Sequence, residues 1–180
     1  MLKKIAQIIF FIIIVSLAAL AQFSFISALP SFWRYLNLPL ILIIFFLFFS
    51  GERAAFGAAL IAGFWLDILF FNFFGLRIIT LLVTAWLAQC LFLTWLTNRS
   101  LYSFLILILA ATLVYNFLTA FGLFLTAPDG TCFFLIKESF WRGLVYQGAW
   151  SALAALLAFN LVSVLTRRFR PVFLEKGPGL

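Results

Sequence analysis

Apolar residues in this chain neither alternate nor form a one-sided stripe. They come in long unbroken runs, set apart by short clusters of charge, proline, glycine and asparagine. A helix needs about 20 apolar residues to cross a ~30 Å hydrocarbon core. The runs predict six membrane spans over 5–29, 36–49, 54–74, 78–96, 101–127 and 143–166. Lys3 and Lys4 precede the first, and Glu52-Arg53 precede the third. Arg77 divides the third from the fourth, and Asn98-Arg99-Ser100 the fourth from the fifth. Arg167, Arg168 and Arg170 follow the sixth. The second run, with Pro39 near its start, covers only about 21 Å as a helix. It extends back through Ser31-Phe32-Trp33, the bilayer thins around it, or it is re-entrant.

The pattern also defines the segments outside the spans. Ala19-Leu20-Ala21 has the small-x-small form of a signal cleavage site, but the apolar run continues to Leu29, so an uncleaved signal-anchor is expected. The stretch 128–142 opens on Pro128-Asp129-Gly130, a turn signal. It continues with Phe133-Phe134-Leu135-Ile136 and Phe140-Trp141, which suits a segment lying at the membrane surface. Residues 1–170 read as one integral membrane domain and 171–180 as a short tail.

Composition narrows the class further. The chain has 180 residues, 67% apolar and 9% charged. A soluble domain is roughly half apolar and about a quarter charged. A water-facing globule, a disordered chain, a coiled coil and collagen are therefore excluded. An outer-membrane barrel would show short alternating segments instead of continuous runs. The formal charge is +7. The basic residues flank spans, so they set topology and do not imply nucleic acid. With the N-terminus inside, the cytoplasmic segments hold Lys3, Lys4, Arg53, Arg99, Arg167, Arg168, Arg170 and Lys176. The outer loops hold Arg34, Arg77, Lys137 and Arg142. This bias predicts both termini in the cytoplasm.

Candidate chemistry is sparse. There is no His, and Cys90 and Cys132 have no metal-type spacing, so neither a metal nor a cofactor is expected. No nucleophile elbow, zinc-protease helix, phosphate loop or pair of intramembrane Asp residues is present, so an enzyme is not expected. Asp67 is the one ionisable residue well inside a span. Such a group should face protein and find a partner. Helix-depth arithmetic places Asn116, Thr84 and Ser151 in the same layer, which makes them its candidate partners. Asp67 then reads either as a proton, ion or substrate contact or as a buried hydrogen bond that fixes packing. Ala55, Ala59 and Gly63 recur every four residues on the way to Asp67. That spacing marks a closely packed helix face, directed at a neighbour inside the chain or in another protein. Ala154 and Ala158 repeat it more weakly.

The stretch 38–89 carries a further order of residues. Pro39 opens the second span, and Gly51-Glu52-Arg53 forms an inner turn. Gly57 follows, then Gly63-Phe64-Trp65-Leu66-Asp67-Ile68-Leu69, then Phe74-Gly75-Leu76 before another long apolar run. This order resembles the rod shape-determining MreD family of bacteria. It departs from the family in having Phe73-Phe74 where Gly or Pro is common before the Gly-Leu pair. The resemblance implies a six-helix fold like the substrate-binding S-component of energy-coupling-factor vitamin transporters. It also implies a non-enzymatic inner-membrane subunit of the cell-elongation complex that supports peptidoglycan synthesis and cell shape. The implied partners are an MreC-like protein, with MreB, a RodA-type glycan polymerase and its transpeptidase. Asp67, Gly63, Gly75 and Pro39 are the residues that match the family pattern. A vitamin-transporter S-component is the alternative function. Against it, Ala18, Ala19 and Ala21 lack the Ala-x-x-x-Ala spacing of that class.

Overall fold

A computed structural model describes residues 2–26, 36–70, 74–94, 100–126 and 138–165, and every element in them is helical. α1 spans Leu2–Ala21 and ends in a π-helical turn, Gln22–Ile26. α2 is Leu38–Phe49, α3 Glu52–Phe70, α4 Leu76–Thr94, α5 Leu101–Thr126 and α6 Glu138–Leu165. Among the described residues, three helical segments are long and apolar enough to cross a membrane: Glu52–Phe70, Leu76–Thr94 and Leu101–Leu125. Two shorter apolar helices, Ile9–Ser24 and Leu38–Phe49, accompany them.

The helices sit beside one another in alternating directions, so that neighbours one helix apart in the chain, such as α1 and α3, run parallel. Phe11, next to Gly57, Ser16, bonded to Trp65, and Phe23, against the Phe70 ring, meet α3 in ascending order, so α1 and α3 run parallel. Gly63 meets Ile78 while Glu52 meets Gln89, so α4 runs back along α3. Phe104 packs on Phe48 near one end of α5, and Tyr115 reaches Arg77 toward the other. Phe117 meets Phe140 and Leu109 approaches Gly148, so α6 is antiparallel to α5.

α2 is the axis of this arrangement and touches all five other helices. Its 12 residues are almost wholly apolar, and seven of them are buried. Such a helix has no polar face to give to water, so its backbone ends must be satisfied inside the protein. The start of α2 shows how. The Leu38 N–H donates to Gln22 Oε1 at 3.0 Å. Pro39 has no N–H to satisfy. The Leu40 N–H donates to the Asn37 side chain at 3.3 Å, and Ile41 makes the first helical bond, to the Asn37 carbonyl. Each of the first four positions is accounted for, which is the physical reason for proline in the first turn and asparagine at the cap.

The helix bounds differ from the expected span bounds by a few residues. α2 begins at Leu38, because Asn37 caps it. α3 is described over Glu52–Phe70, and α4 starts at Leu76, because Gly75 turns the chain with φ 98°. α6 covers Glu138–Leu165, five residues more at its start than the expected span, so Phe140 and Trp141 lie in its first turns. Residues 127–137, the tail 171–180 and Cys132 lie outside the described residues, as do the last three residues of the first expected span, 27–29.

The small-residue face of α3 points inward. Ala55, Ala58 and Ala59 are fully buried in the core, and Ala62 is nearly so. A Cβ added at Gly63 would lie 2.7 Å from the Ile78 Cα, inside any allowed contact. The α3–α4 approach is thus backbone against backbone, and only glycine permits it. The neighbour of this face is internal. Ala154 packs against the core, and the Ala158 side chain lies outside the described ones.

Candidate functional site

Among the described residues, the one buried acid lies at the junction of α3 and α4. Asp67 is 3% exposed, one turn before α3 ends. Its Oδ2 accepts the Gly75 N–H at 3.0 Å and the Ile78 N–H at 3.2 Å, and its Oδ1 accepts the Arg77 N–H at 2.9 Å. Gly75 occupies the N-cap position of α4, where Asp, Asn, Ser or Thr would normally accept from the second and third helical N–H groups. Glycine brings no side chain to that task. Asp67 performs it from the preceding helix, reaching Arg77 and Ile78 at those two positions. It also places a carboxylate where the helix dipole favours negative charge.

The motif residues on α3 and α4 converge on this junction. Gly63 lets α4 come within backbone contact of α3. Asp67 then ties down the start of α4, and Gly75 supplies the left-handed angle that turns the chain toward it. Leu76 continues the assembly by packing on α5, where a Cβ at Gly122 would fall 2.9 Å from its side chain. Pro39 works separately, at the start of α2. Gly51 makes the α2–α3 turn with φ 96°. Gly57 faces Phe11 with ordinary room for a Cβ, at 3.6 Å.

The expected partners of Asp67 are engaged elsewhere. Asn116 donates to the Thr112 carbonyl of its own helix at 2.7 Å. Thr84 donates to the Thr80 carbonyl at 2.6 Å. Ser151 bonds the Gln147 carbonyl and meets the Thr112 hydroxyl at 3.2 Å, which joins α6 to α5. The polar layer therefore resolves into two separate arrangements. The reason is that a helix start inside an apolar protein exposes several orphan donors at once, and one carboxylate can satisfy more of them than any single side-chain partner requires.

Other polar links could not be anticipated from spacing. Trp65 Nε1 donates to Ser16 Oγ at 3.0 Å, joining α3 to α1. The Arg77 guanidinium lies over the Phe70 ring, 4.0 Å from its centroid, and its Nη1 reaches Tyr115 Oη at 3.5 Å. Arg77 Nε is buried with no hydrogen-bond partner among the described residues. At the opposite end of α3, the Glu52 carboxylate accepts from Gln89 Nε2. No three His, Cys, Asp or Glu side chains come together among the described residues.

Comparison with family models, curated proteins and solved structures finds no match to this chain.

Proposed function

We propose that the chain is an MreD-like, non-enzymatic subunit of the bacterial cell-elongation complex. In this reading it crosses the inner membrane six times with both termini in the cytoplasm. It packs against an MreC-like protein and, with MreB, a RodA-type polymerase and its transpeptidase, supports peptidoglycan synthesis and cell shape.

One observation supports it above the others. The residues that carry the resemblance hold helices together, and Asp67, the one buried acid among the described residues, gives both oxygens to main-chain donors. An acid engaged in this way fixes a helix junction, as a scaffold subunit requires. A relay or a substrate contact would need an oxygen free to exchange partners.

The test is purification of the tagged full-length chain from its own host in mild detergent. Co-purification of an MreC-like protein, together with rounding of rod-shaped cells when the chain is depleted, is the expected result. A stoichiometric vitamin in the purified protein, with rod shape unaffected by depletion, would overturn the proposal in favour of a transporter S-component.

A further inference from the structure

We infer that Arg77 forms a phosphate-binding site at the end of the α3–α4 pair. Three helices build it: Phe70 closes α3, Arg77 lies in the first turn of α4, and Tyr115 projects from α5. The Phe70 ring fixes the plane of the guanidinium from one side. Tyr115, itself buried, takes one donor at the long distance of 3.5 Å.

A guanidinium carries five N–H donors and no acceptor. Here Nε has no partner among the described residues, although it is fully buried. The nearby acid does not supply one, because all three bonds to Asp67 come from main-chain N–H groups. A buried donor left without an acceptor is costly. Nε itself is closed off, but Arg77 as a whole is only partly buried, so a ligand approaching from outside meets the open part of the side chain. What this donor set lacks is an anion with two or more oxygens at the spacing of the guanidinium edge. Phosphate meets that need through paired charge-assisted bonds.

Position indicates where the phosphate comes from. α3 and α4 are both long and apolar enough to span, and Arg77 lies at their shared end. Lipid headgroups occupy that level of a bilayer. The main-chain donors at the start of α4 are already occupied by Asp67, so the anion sits on the Arg77 side chain and not on the helix terminus. A soluble phosphate would use the same chemistry, and the experiment separates the two sources.

Delipidated full-length chain in a neutral detergent is titrated with phosphatidylglycerol, and bound lipid is counted by native mass spectrometry. Arg77→Gln should weaken binding about tenfold, the scale of one charge-assisted hydrogen bond. Arg77→Lys should fall between, since it keeps the charge and loses the fork. Tyr115→Phe should bind at least as well as the wild type, because only a competing acceptor is removed. In the unaltered chain, phosphatidylglycerol should slow phenylglyoxal modification of Arg77 by about the same tenfold factor. Unchanged lipid affinity in a folded Arg77→Gln variant overturns the site. So does modification of the wild type at the same rate with and without lipid. If inorganic phosphate alone protects Arg77 and displaces the lipid, the phosphate site stands and the lipid source is overturned.

Discussion

Gly51 and Gly75 hold nearly the same left-handed angle, φ 96° and 98°, just before α3 and α4, yet the two junctions are secured differently. At the α2–α3 turn the main-chain donors that are bonded all reach main-chain carbonyls. Ser50 and Gly51 N–H groups donate to the Phe46 carbonyl, and Ala55 donates back to Gly51. Glu52 and Arg53 there are exposed, so the first N–H groups of α3 sit beside residues open to the surroundings. At the α3–α4 turn a buried carboxylate from the preceding helix takes three main-chain donors. The contrast shows what an apolar interior demands. A helix start at the surface leaves its orphan donors to water, whereas one inside the bundle needs an acceptor supplied by the fold.

The largest test of that contrast is removal of the acceptor. Asp67→Leu leaves three donors stranded and should cost on the order of 3–5 kcal/mol, enough to abolish a melting transition in detergent. Asp67→Asn should cost less, about 1–3 kcal/mol. Its single oxygen can replace Oδ2, which holds Gly75 and Ile78, but its amide then faces the Arg77 N–H, donor against donor. Glu52→Gln, at the exposed junction, should stay within about 0.5 kcal/mol. Equal effects of the Asp67 and Glu52 substitutions on thermal stability would break the distinction between the two junctions.

The next effect concerns the close approach that brings α4 within reach of Asp67. Gly63→Ala places a methyl 2.7 Å from the Ile78 main chain, which cannot move aside as a flexible side chain would. The helices must separate, at about 1–3 kcal/mol. Gly57→Ala, six residues earlier on the same helix, meets only the Phe11 ring at 3.6 Å. There the gain in helix propensity, up to ~1 kcal/mol, should dominate and raise the melting temperature. Opposite signs at two glycines of one helix are the expected outcome.

How much of this was legible beforehand varies with the physics involved. The helices were evident from run length alone, because apolar runs have few other stable forms. Pro39 marks the start of the second span, and the four-residue spacing of Ala55, Ala59 and Gly63 marks a closely packed face of α3, although spacing alone does not tell an internal neighbour from another protein. That Asp67 must find a partner also followed from its depth. The identity of the partner did not. Side-chain inventories count Asn116, Thr84 and Ser151 as acceptors or donors, but they omit the backbone of a neighbouring helix, which bears no sequence mark beyond Gly75. Gln22 capping α2 from a π-helical turn, and Ser16 meeting Trp65, depend on how helices cross. Neither carries a local pattern. The first turn of α6 carries no unbroken apolar signal, because Glu138 and Arg142 interrupt the run, although charge near a helix end does not stop a helix from forming.

The smallest effect isolates the turn itself. A Cβ at Gly51 or Gly75 would meet nothing within 4 Å, so Ala at either position is penalised by backbone angle alone. That penalty is about 1 kcal/mol. If φ were the whole story, the two variants would melt alike. At Gly75, however, the chain can relieve strain only by shifting a residue whose N–H donates to Asp67, and the Arg77 and Ile78 donors move with it. Gly75→Ala should therefore cost more than Gly51→Ala by several tenths of a kcal/mol. The excess should shrink when Asp67→Asn is already present, because the bonds at risk are partly lost. Gly51→Ala and Asp67→Asn should simply add. A double-mutant cycle on thermal stability reads both couplings, and a coupling at Gly75 no larger than at Gly51 would show that the carboxylate and the turn act independently.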